Sequence, residues 1–556
     1  MMLFYVFLPV VTYFVTRAVM RSFRPEFGGC PNAGILWLHP FRALSLFVGR
    51  WFPLHYQIGY YRSEFRFYNK YGSTALGSVL PWGATPTLWL ADAQAIKAIT
   101  CDVSVFEKDV EAYEVLHVYG RSMIGTEGAE WKRHRRVAGS AFNEGINALA
   151  WMETTRILKE WTEELDSQVG SNGTISLSTV EDLTQLTLLI VACAGFGRRE
   201  PWKEDISTAT LGGHKLRFRA AVLRSVAIES LLINSFAPSW LARLRLPWVS
   251  RIVSETSDTY EALRVHMLDL VSLSRAWMVD GKVDSGMGAG ILRNLVEAST
   301  NELDGDRKSL TDDEVLSDIF TFLIAGHETS AHALSFAIGL LALYPDVQDK
   351  IFKETLDVWP HGLPEIATPA SYKECMPKLV YTLATLHESM RLFPPLSRFA
   401  KVTRAETTLV ARRFIRNKAG QPDKVKAFSI PVEPGSIVIV DIMALHRNPL
   451  AALYWGEDVE EFKPERFIDT ETYSWPRDAF FTFSGGARSC VGQRFALAEG
   501  VCILASLVRR YEIILPSHLV EKPFEEQRRL LLRWKPGLTI VPMDCRVRLR
   551  RRGSCP

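Results

Sequence analysis

The eight cysteines of this 556-residue chain include no C-x-x-C pair and no dense cluster. That spacing excludes a zinc ribbon and a disulfide scaffold, and it fits a reducing compartment. A charge excess of one sign is also missing. The net charge is +3, too near neutral for nucleic acid to be the main partner. No internal repeat and no low-complexity linker divides the chain, so one large domain is expected rather than several of ~150 residues each. Flavin and nicotinamide fingerprints are absent as well.

Apolar residues are abundant, and their placement is informative. The N-terminus, MMLFYVFLPVVTYFVTRAVMRSFR, carries no charge over residues 1–16, and Arg17, Arg21 and Arg24 follow. A spanning helix needs ~20 apolar residues, and a snorkelling Arg17 lets the run extend to Met20. A cleaved signal would carry its basic residues before the apolar core, not after it. Residues 1–20 are therefore expected to form an uncleaved transmembrane helix, with the body of the protein cytosolic by positive-inside bias. Pro9 is the feature that opposes it, since a mid-helix proline costs a hydrogen bond. Residues 21–54 read as a linker or membrane-proximal segment, and the aromatic, apolar region 35–61 is expected near the membrane surface. The segment 230–248 offers a second apolar contact. Residues 55–545 form the main domain and 546–556 a basic tail.

Within that domain most of the sequence reads as helix. A long helix over 312–344 is capped by Thr311-Asp-Asp-Glu314, a capping box, and stopped by Pro345. The glycine-rich stretch 279–290 before it reads as a mobile loop. Residues 436–440, after Pro434-Gly435, give the clearest strand. The basic segment 412–426 reads as a solvated, inserted loop, and RVRLRRR at 546–552 as a disordered charged end.

Inside the long helix lies FLIAGHETSAH. A zinc helix reads H-E-x-x-H, with its histidines four apart on one face. His327 and His332 are five apart, about 140° around the axis, and cannot share one metal from a regular helix. Another window, FSGGARSCVG at 483–492, sets a lone cysteine between glycines and ahead of an amphipathic helix. A helix N-terminus favours a thiolate, and Gly486 and Gly492 let the backbone approach a flat ligand. The plainer reading of such a cysteine is a buried core residue in a glycine-rich turn.

Phe483-x-x-Gly486-x-Arg488-x-Cys490-x-Gly492 resembles the heme-binding signature of the cytochrome P-450 superfamily, the heme-thiolate monooxygenases. Three further motifs follow in family order. Ala325-Gly326-His327-Glu328-Thr329 is similar to the oxygen-activation motif of its distal helix. Glu388-Ser-Met-Arg391, with KPERF at 463–467, is similar to the motif that braces the heme-binding core through Arg466. Trp131 and Arg135 in WKRHRR match the W-x-x-x-R pair, and share a helix face at i,i+4.

The resemblance implies a mostly α cytochrome P-450 fold with a small β-rich portion. It implies heme b, with Cys490 as the axial iron ligand whose thiolate pushes electron density toward the metal. Phe483 would shield the sulfur, and Arg488, Trp131, Arg135 and Arg398 would pair with heme carboxylates. Gly326 would open space in the distal helix. Thr329 would bond back into that helix and widen a groove. Glu328 and Thr329 would form the acid–alcohol pair that delivers protons to dioxygen. Electrons would come from a separate NADPH-cytochrome P-450 reductase in the endoplasmic reticulum membrane. Lys132, Arg133 and Arg136 form either its docking surface or a solvated face.

One oxygen atom would enter an apolar small molecule, of terpenoid type by resemblance to fungal secondary-metabolism members. Phe320, Ile324, Ala325, residues 110–123 and residues 396–399 are the expected apolar walls. An isomerase or dehydratase without a reductase, or a non-catalytic heme or lipid carrier, is the alternative. The intact Glu328-Thr329 pair argues against it.

Overall fold

The computed structural model describes the chain apart from residues 1, 23–25, 37–38, 40, 42–64, 81–83, 171–172, 204–215, 237–246, 280–289, 301–309, 364–366, 417–421 and 554–556. Nearly all of the region 35–61, of the loop 279–290 and of the second half of 230–248 thus lies outside the described residues. The rest is mostly helical with four small sheets, as expected. Two compact units interleave along the sequence. One comprises Met1–Ala112, Arg391–Phe462 and Asp469–Cys490; the other comprises Tyr113–Met390, Lys463–Ile468 and Val491–Pro556.

The first unit opens with helix α1 (Met2–Ser22), which runs unbroken through Pro9. Val10, Tyr13 and Met20 are exposed on it, whereas Ala18 is buried where α1 meets the following strands. The described apolar stretch Pro9–Met20 is shorter than a span. The unit is built on a seven-stranded mixed sheet of β1 (Glu26–Phe27), β2 (Cys30–Ile35), β3 (Ala75–Leu80), β4 (Thr85–Leu90), β5 (Phe106–Lys108), β7 (Arg398–Thr403) and β10 (Ile437–Asp441), in the order β1-β2-β3-β4-β10-β7-β5. Every residue of β10 is buried, which is why Ile437-Val-Ile-Val440 is a continuous β-branched run and not an alternating one.

The segment 412–426 corrects the expectation of a loop. β8 (Thr407–Arg416) pairs antiparallel with β9 (Pro422–Val432) in a long hairpin. The basic residues are held and not merely solvated. Arg412 bonds Asp92 at 2.9 Å and the Tyr454 hydroxyl at 2.8 Å, and Arg413 lies 4.7 Å from the centre of the Phe428 ring. After α1, EFGGCPNAG supplies β1, a two-glycine turn and most of β2. Gly29 there has φ +80°, and a Cβ would lie 2.5 Å from Ser429 O, so only glycine fits.

The second unit is helical: α2 (Gly128–Ala141), α3 (Glu144–Ser167), α4 (Thr179–Phe196), the long α5 (Asp312–Leu343) and α7 (Gln493–Arg510) make its frame, with α6 (Val380–Leu392) ending at its border. α5 starts at the expected capping box of Thr311 and Glu314, and the next helix begins at Pro345. It is apolar on all sides because α4 and α7 pack on it, the mark of a core helix. α4 is long and apolar enough to cross a membrane, yet 72% of it is buried within the fold.

The tail is the second correction. Arg546–Arg551 is strand β14, placed between β6 (Thr174–Ser178) and β11 (Tyr511–Ile514). Val547 and Leu549 point inward, while Arg550 pairs with Glu512 on the adjacent strand. Alternation outweighs the charge of its arginines.

Candidate functional site

In the first unit, Phe483–Cys490 forms a closed loop. The Cys490 N–H donates to Phe483 O at 2.9 Å, and the Ser489 N–H donates to Gly486 O at 3.1 Å. Gly486 has φ +65°, and a Cβ there would lie 2.2 Å from Thr100 O, so no other residue completes the turn. The loop is anchored by Phe481, whose N–H donates to His446 Nε2 at 2.9 Å and whose ring stacks on Phe399. Cys490 ends the loop with its side chain exposed, two residues before Gly492 caps α7. The plain reading of a buried core cysteine therefore fails. Phe483 and Arg488 are half-buried beside it in sequence.

The seven described cysteines form no disulfide with one another, and they differ in environment. Burial pushes Cys193 and Cys502 up to about 12, and Cys545 up to about 11. Those three stay protonated near neutral pH and are poor metal ligands. An exposed thiol on a glycine-built loop is the donor chemistry that an iron porphyrin requires.

Arg398 opens β7 opposite Asp441 of β10. It is buried against the Phe41 and Trp89 rings, and Asp441 also accepts from the Tyr68 hydroxyl at 3.2 Å. Arg391 is buried too, and donates to His446 O at 2.9 Å, Val459 O at 2.8 Å and Glu461 O at 3.3 Å. Its charge thus ties three stretches of backbone together, which is a bracing role.

In the second unit, Glu388 accepts from the Lys463 N–H at 3.0 Å and lies 3.5 Å from Arg466 Nε. This is the expected link between Glu388 and KPERF. Glu153 and Arg156, with the same spacing as Glu388 and Arg391, form an ion pair of α3 at 2.6 Å.

The middle of α5 departs from its surroundings. Residues 315–324 and 330–343 are buried, but Ala325 is exposed and Gly326, Glu328 and Thr329 are partly so. Thr329 Oγ1 donates back to Ala325 O at 2.6 Å, as the motif implies. A residue outside the motif contributes as well: Thr187 of α4 donates to His327 O at 2.9 Å. Gly326 also meets α4. A Cβ there would lie 3.0 Å from Val191 Cγ2, so this glycine admits the close approach of α4. Phe320, expected as a pocket wall, is buried edge-on against Tyr119 at 5.3 Å and near Tyr260 at 6.3 Å.

Burial sets the protonation states here. It pushes the Glu328 carboxyl up to about 7, and holds His327 and His332 down at about 4, hence neutral. Glu328 can therefore gain and lose a proton near neutrality, as a proton-transfer group must.

Trp131 is buried on α2 and Arg135 is half-buried one turn on, so the pair shares a face. Two neighbours fix α2 against α5. His134 Nδ1 lies 2.7 Å from Asp318 Oδ2, and the Arg133 guanidinium pairs with both oxygens of Glu314. Arg133 is thus engaged inside the unit, which leaves Lys132 and Arg136 as the exposed bases of WKRHRR. Glu130, His134 and Glu314 place ligand atoms within 4.8 Å of one another. Arg121 and Arg133 already neutralise those carboxylates, so the cluster reads as an ion-pair network.

Glu499 of α7 was not singled out by its sequence context. It is fully buried with Ser330 as its polar neighbour, and burial raises its pKa from 4.5 to about 8. The folded state therefore holds a proton that an unfolded chain releases near 4.5. The associated stability is complete below that value, erodes above it, and is gone once pH passes about 8. Glu499→Gln, neutral at every pH, should raise the melting temperature most on the alkaline side. The gain over wild type should shrink toward zero near pH ~5. A gain equal at both ends, read by thermal melts across pH, contradicts the assignment.

Residues 44–541 match the family model of cytochrome P-450. Cytochrome P-450 monooxygenase 124 of Postia placenta is similar to this chain, 35% identical over 481 residues, covering 86% of this chain and 85% of that protein. Cytochrome P-450 monooxygenase prx9 of Penicillium rubens is 27% identical over 453 residues, covering 76% and 73%. The phomenoic acid biosynthesis cluster cytochrome P-450 monooxygenase of Leptosphaeria maculans is 24% identical over 478 residues, covering 80% and 76%.

Proposed function

The chain belongs to the cytochrome P-450 family and is an oxidoreductase of its monooxygenase type, and on that premise we propose the following assignment of its residues and substrate. Cys490 would hold the iron of a heme b through its thiolate. The observation that carries this reading is its exposed thiol on a loop that only glycine at 486 can close. Arg488, Trp131, Arg135 and Arg398 pair with the heme carboxylates, since guanidinium suits carboxylate geometry. Phe483 shields the sulfur, Gly486 closes the turn that presents it, and Gly492 opens α7 after it. The heme supplies reductive activation of dioxygen.

The protein's own part on the other side is proton handling. Glu328, poised near neutrality, gives a proton, and the Thr329 hydroxyl orders its transfer. One oxygen atom then enters an apolar small molecule and the other leaves as water. The apolar character of Ile324 and Ala325 supports such a substrate, and a terpenoid is the type we assign to it. Electrons come from an NADPH-dependent reductase, with Lys132 and Arg136 on α2 offering it positive charge. α1, with its exposed apolar side chains, supports a single-pass anchor in the endoplasmic reticulum and a cytosolic catalytic domain.

The test is a panel of terpenoid, steroid and fatty-acyl compounds, read by substrate-induced shifts of the heme spectrum. Turnover is then measured with NADPH and the reductase. Oxidised product should form from the compounds that shift the spectrum, and only with reductase and dioxygen present. Product formed without the reductase assigns an isomerase or dehydratase. Binding without any product assigns a carrier.

A further inference from the structure

Glu328 must be reprotonated after each proton it gives, and its neighbours inside the second unit show a route. Thr539, in the turn between β12 (Trp534–Pro536) and β13 (Ile540–Pro542), places Oγ1 3.2 Å from Glu328 Oε1. The same oxygen lies 2.7 Å from His332 Nδ1. The direct distance from His332 Nδ1 to Glu328 Oε1 is 4.0 Å, too long for a hydrogen bond, so the hydroxyl is the bridge. Glu328 and His332 are i and i+4 on α5 and face the same way. Among the described residues the side chains of these three bond one another, and His332 retains 5% exposure.

We propose that Thr539 and His332 form the proton feed of Glu328, with the Thr539 hydroxyl passing protons between imidazole and carboxylate. This rests on the reading of Glu328 and Thr329 as the proton-delivery pair. The chain has two hydrogen-bonded settings. In one, His332 Nδ1–H donates to Thr539 Oγ1, whose hydroxyl donates to the Glu328 carboxylate. Recharging moves the Nδ1 proton to Oγ1 while the hydroxyl proton moves to Glu328 Oε1. The O–H bond to the old proton breaks as the new one forms, and His332 Nε2 takes a proton from solvent. No electron moves, and imidazole ends neutral, as it began.

In the second setting, Glu328 donates to Oγ1 and the hydroxyl donates to Nδ1. The ring then turns over to present its remaining N–H, which resets the chain. A neutral imidazole at about 4 and a carboxyl near 7 suit this exchange, because neither group traps the proton at neutral pH. His327, the titratable neighbour that bears on His332, is neutral and buried with Nδ1 at 2.6 Å from Leu323 O. A histidine there contributes no proton to the feed.

Thr539→Val keeps the side-chain shape and removes the hydroxyl. Two readouts are taken on the full chain with heme. The first needs no turnover: the infrared carboxyl band of Glu328, identified by its loss in Glu328→Gln, is titrated. Its midpoint should lie near 7 in wild type and higher in Thr539→Val, because the hydroxyl bond that lowers it is gone. The second is product formed per NADPH. It should fall by up to about 10² in Thr539→Val, with an altered solvent isotope effect, and Thr539→Ser should restore it. Product driven by added hydrogen peroxide, which arrives with its protons, should be kept.

Wild-type coupling and an unmoved midpoint in Thr539→Val, beside uncoupled Glu328→Gln and Thr329→Ala, overturn the feed and leave the delivery pair standing. If those two variants are themselves as coupled as wild type, the delivery pair falls and the feed with it. Should Thr539→Val lose heme, His332→Leu interrogates the other end, and wild-type coupling there also overturns the proposal.

Discussion

Cys490→Ala yields a folded protein that has lost the thiolate-type carbon monoxide spectrum of its reduced heme, and with it all NADPH-driven oxidation. The fold should survive because the bonds that close the loop are made by backbone: the Cys490 N–H to Phe483 O and the Ser489 N–H to Gly486 O. Alanine keeps both, and the side chain removed is exposed, so no packed volume is emptied. Three of the other cysteines cannot take over. Cys193, Cys502 and Cys545 are buried with thiols held protonated, and none of them sits on a glycine-built loop. Circular dichroism should match wild type while the spectrum changes type or disappears. An unchanged carbon monoxide spectrum would show that another residue holds the iron.

Thr329→Ala has the next largest effect, and it separates a monooxygenase from a protein that only shares its fold. Alanine is the better helix former, and the lost hydroxyl bonds only Ala325 O within α5, so heme content and substrate binding should stay close to wild type. What changes is the route of the proton from Glu328. Without an ordered hydroxyl, reducing equivalents leave as hydrogen peroxide before the oxygen atom reaches substrate. General acid–base groups contribute roughly 10²–10⁴, which bounds the loss, since water can fill part of the gap. NADPH should still be consumed, product per NADPH should drop, and peroxide should rise to match. A variant as tightly coupled as wild type removes Thr329 from proton delivery.

The parts of this site that sequence made legible are local ones. The capping box at Thr311, the back-bond of Thr329 and the glycine loop before Cys490 depend on residues a few positions apart, and all three stand in the fold. The bracing of Glu388 by KPERF was legible only through the family pattern, because its members are about 75 residues apart. What stayed hidden depends on distant partners. Thr539 and Glu328 are 211 residues apart, and His134 and Asp318 are 184 apart. No periodicity links them. The constraint that Val191 on α4 places on Gly326 was hidden for the same reason. The hairpin at 407–432 and strand β14 were missed differently. Their alternation was present in the sequence, but arginine and lysine on the outer faces gave them the composition of loops.

Division of dioxygen between substrate and water is the central step of the proposed reaction. The direct measurement uses heavy-isotope dioxygen in ordinary water, with wild-type protein, NADPH, the reductase and a compound that shifts the heme spectrum. One labelled oxygen atom in each product molecule, with the other label recovered in water, is the predicted result. Product oxygen that derives from solvent, or product formed with no dioxygen consumed, would contradict it.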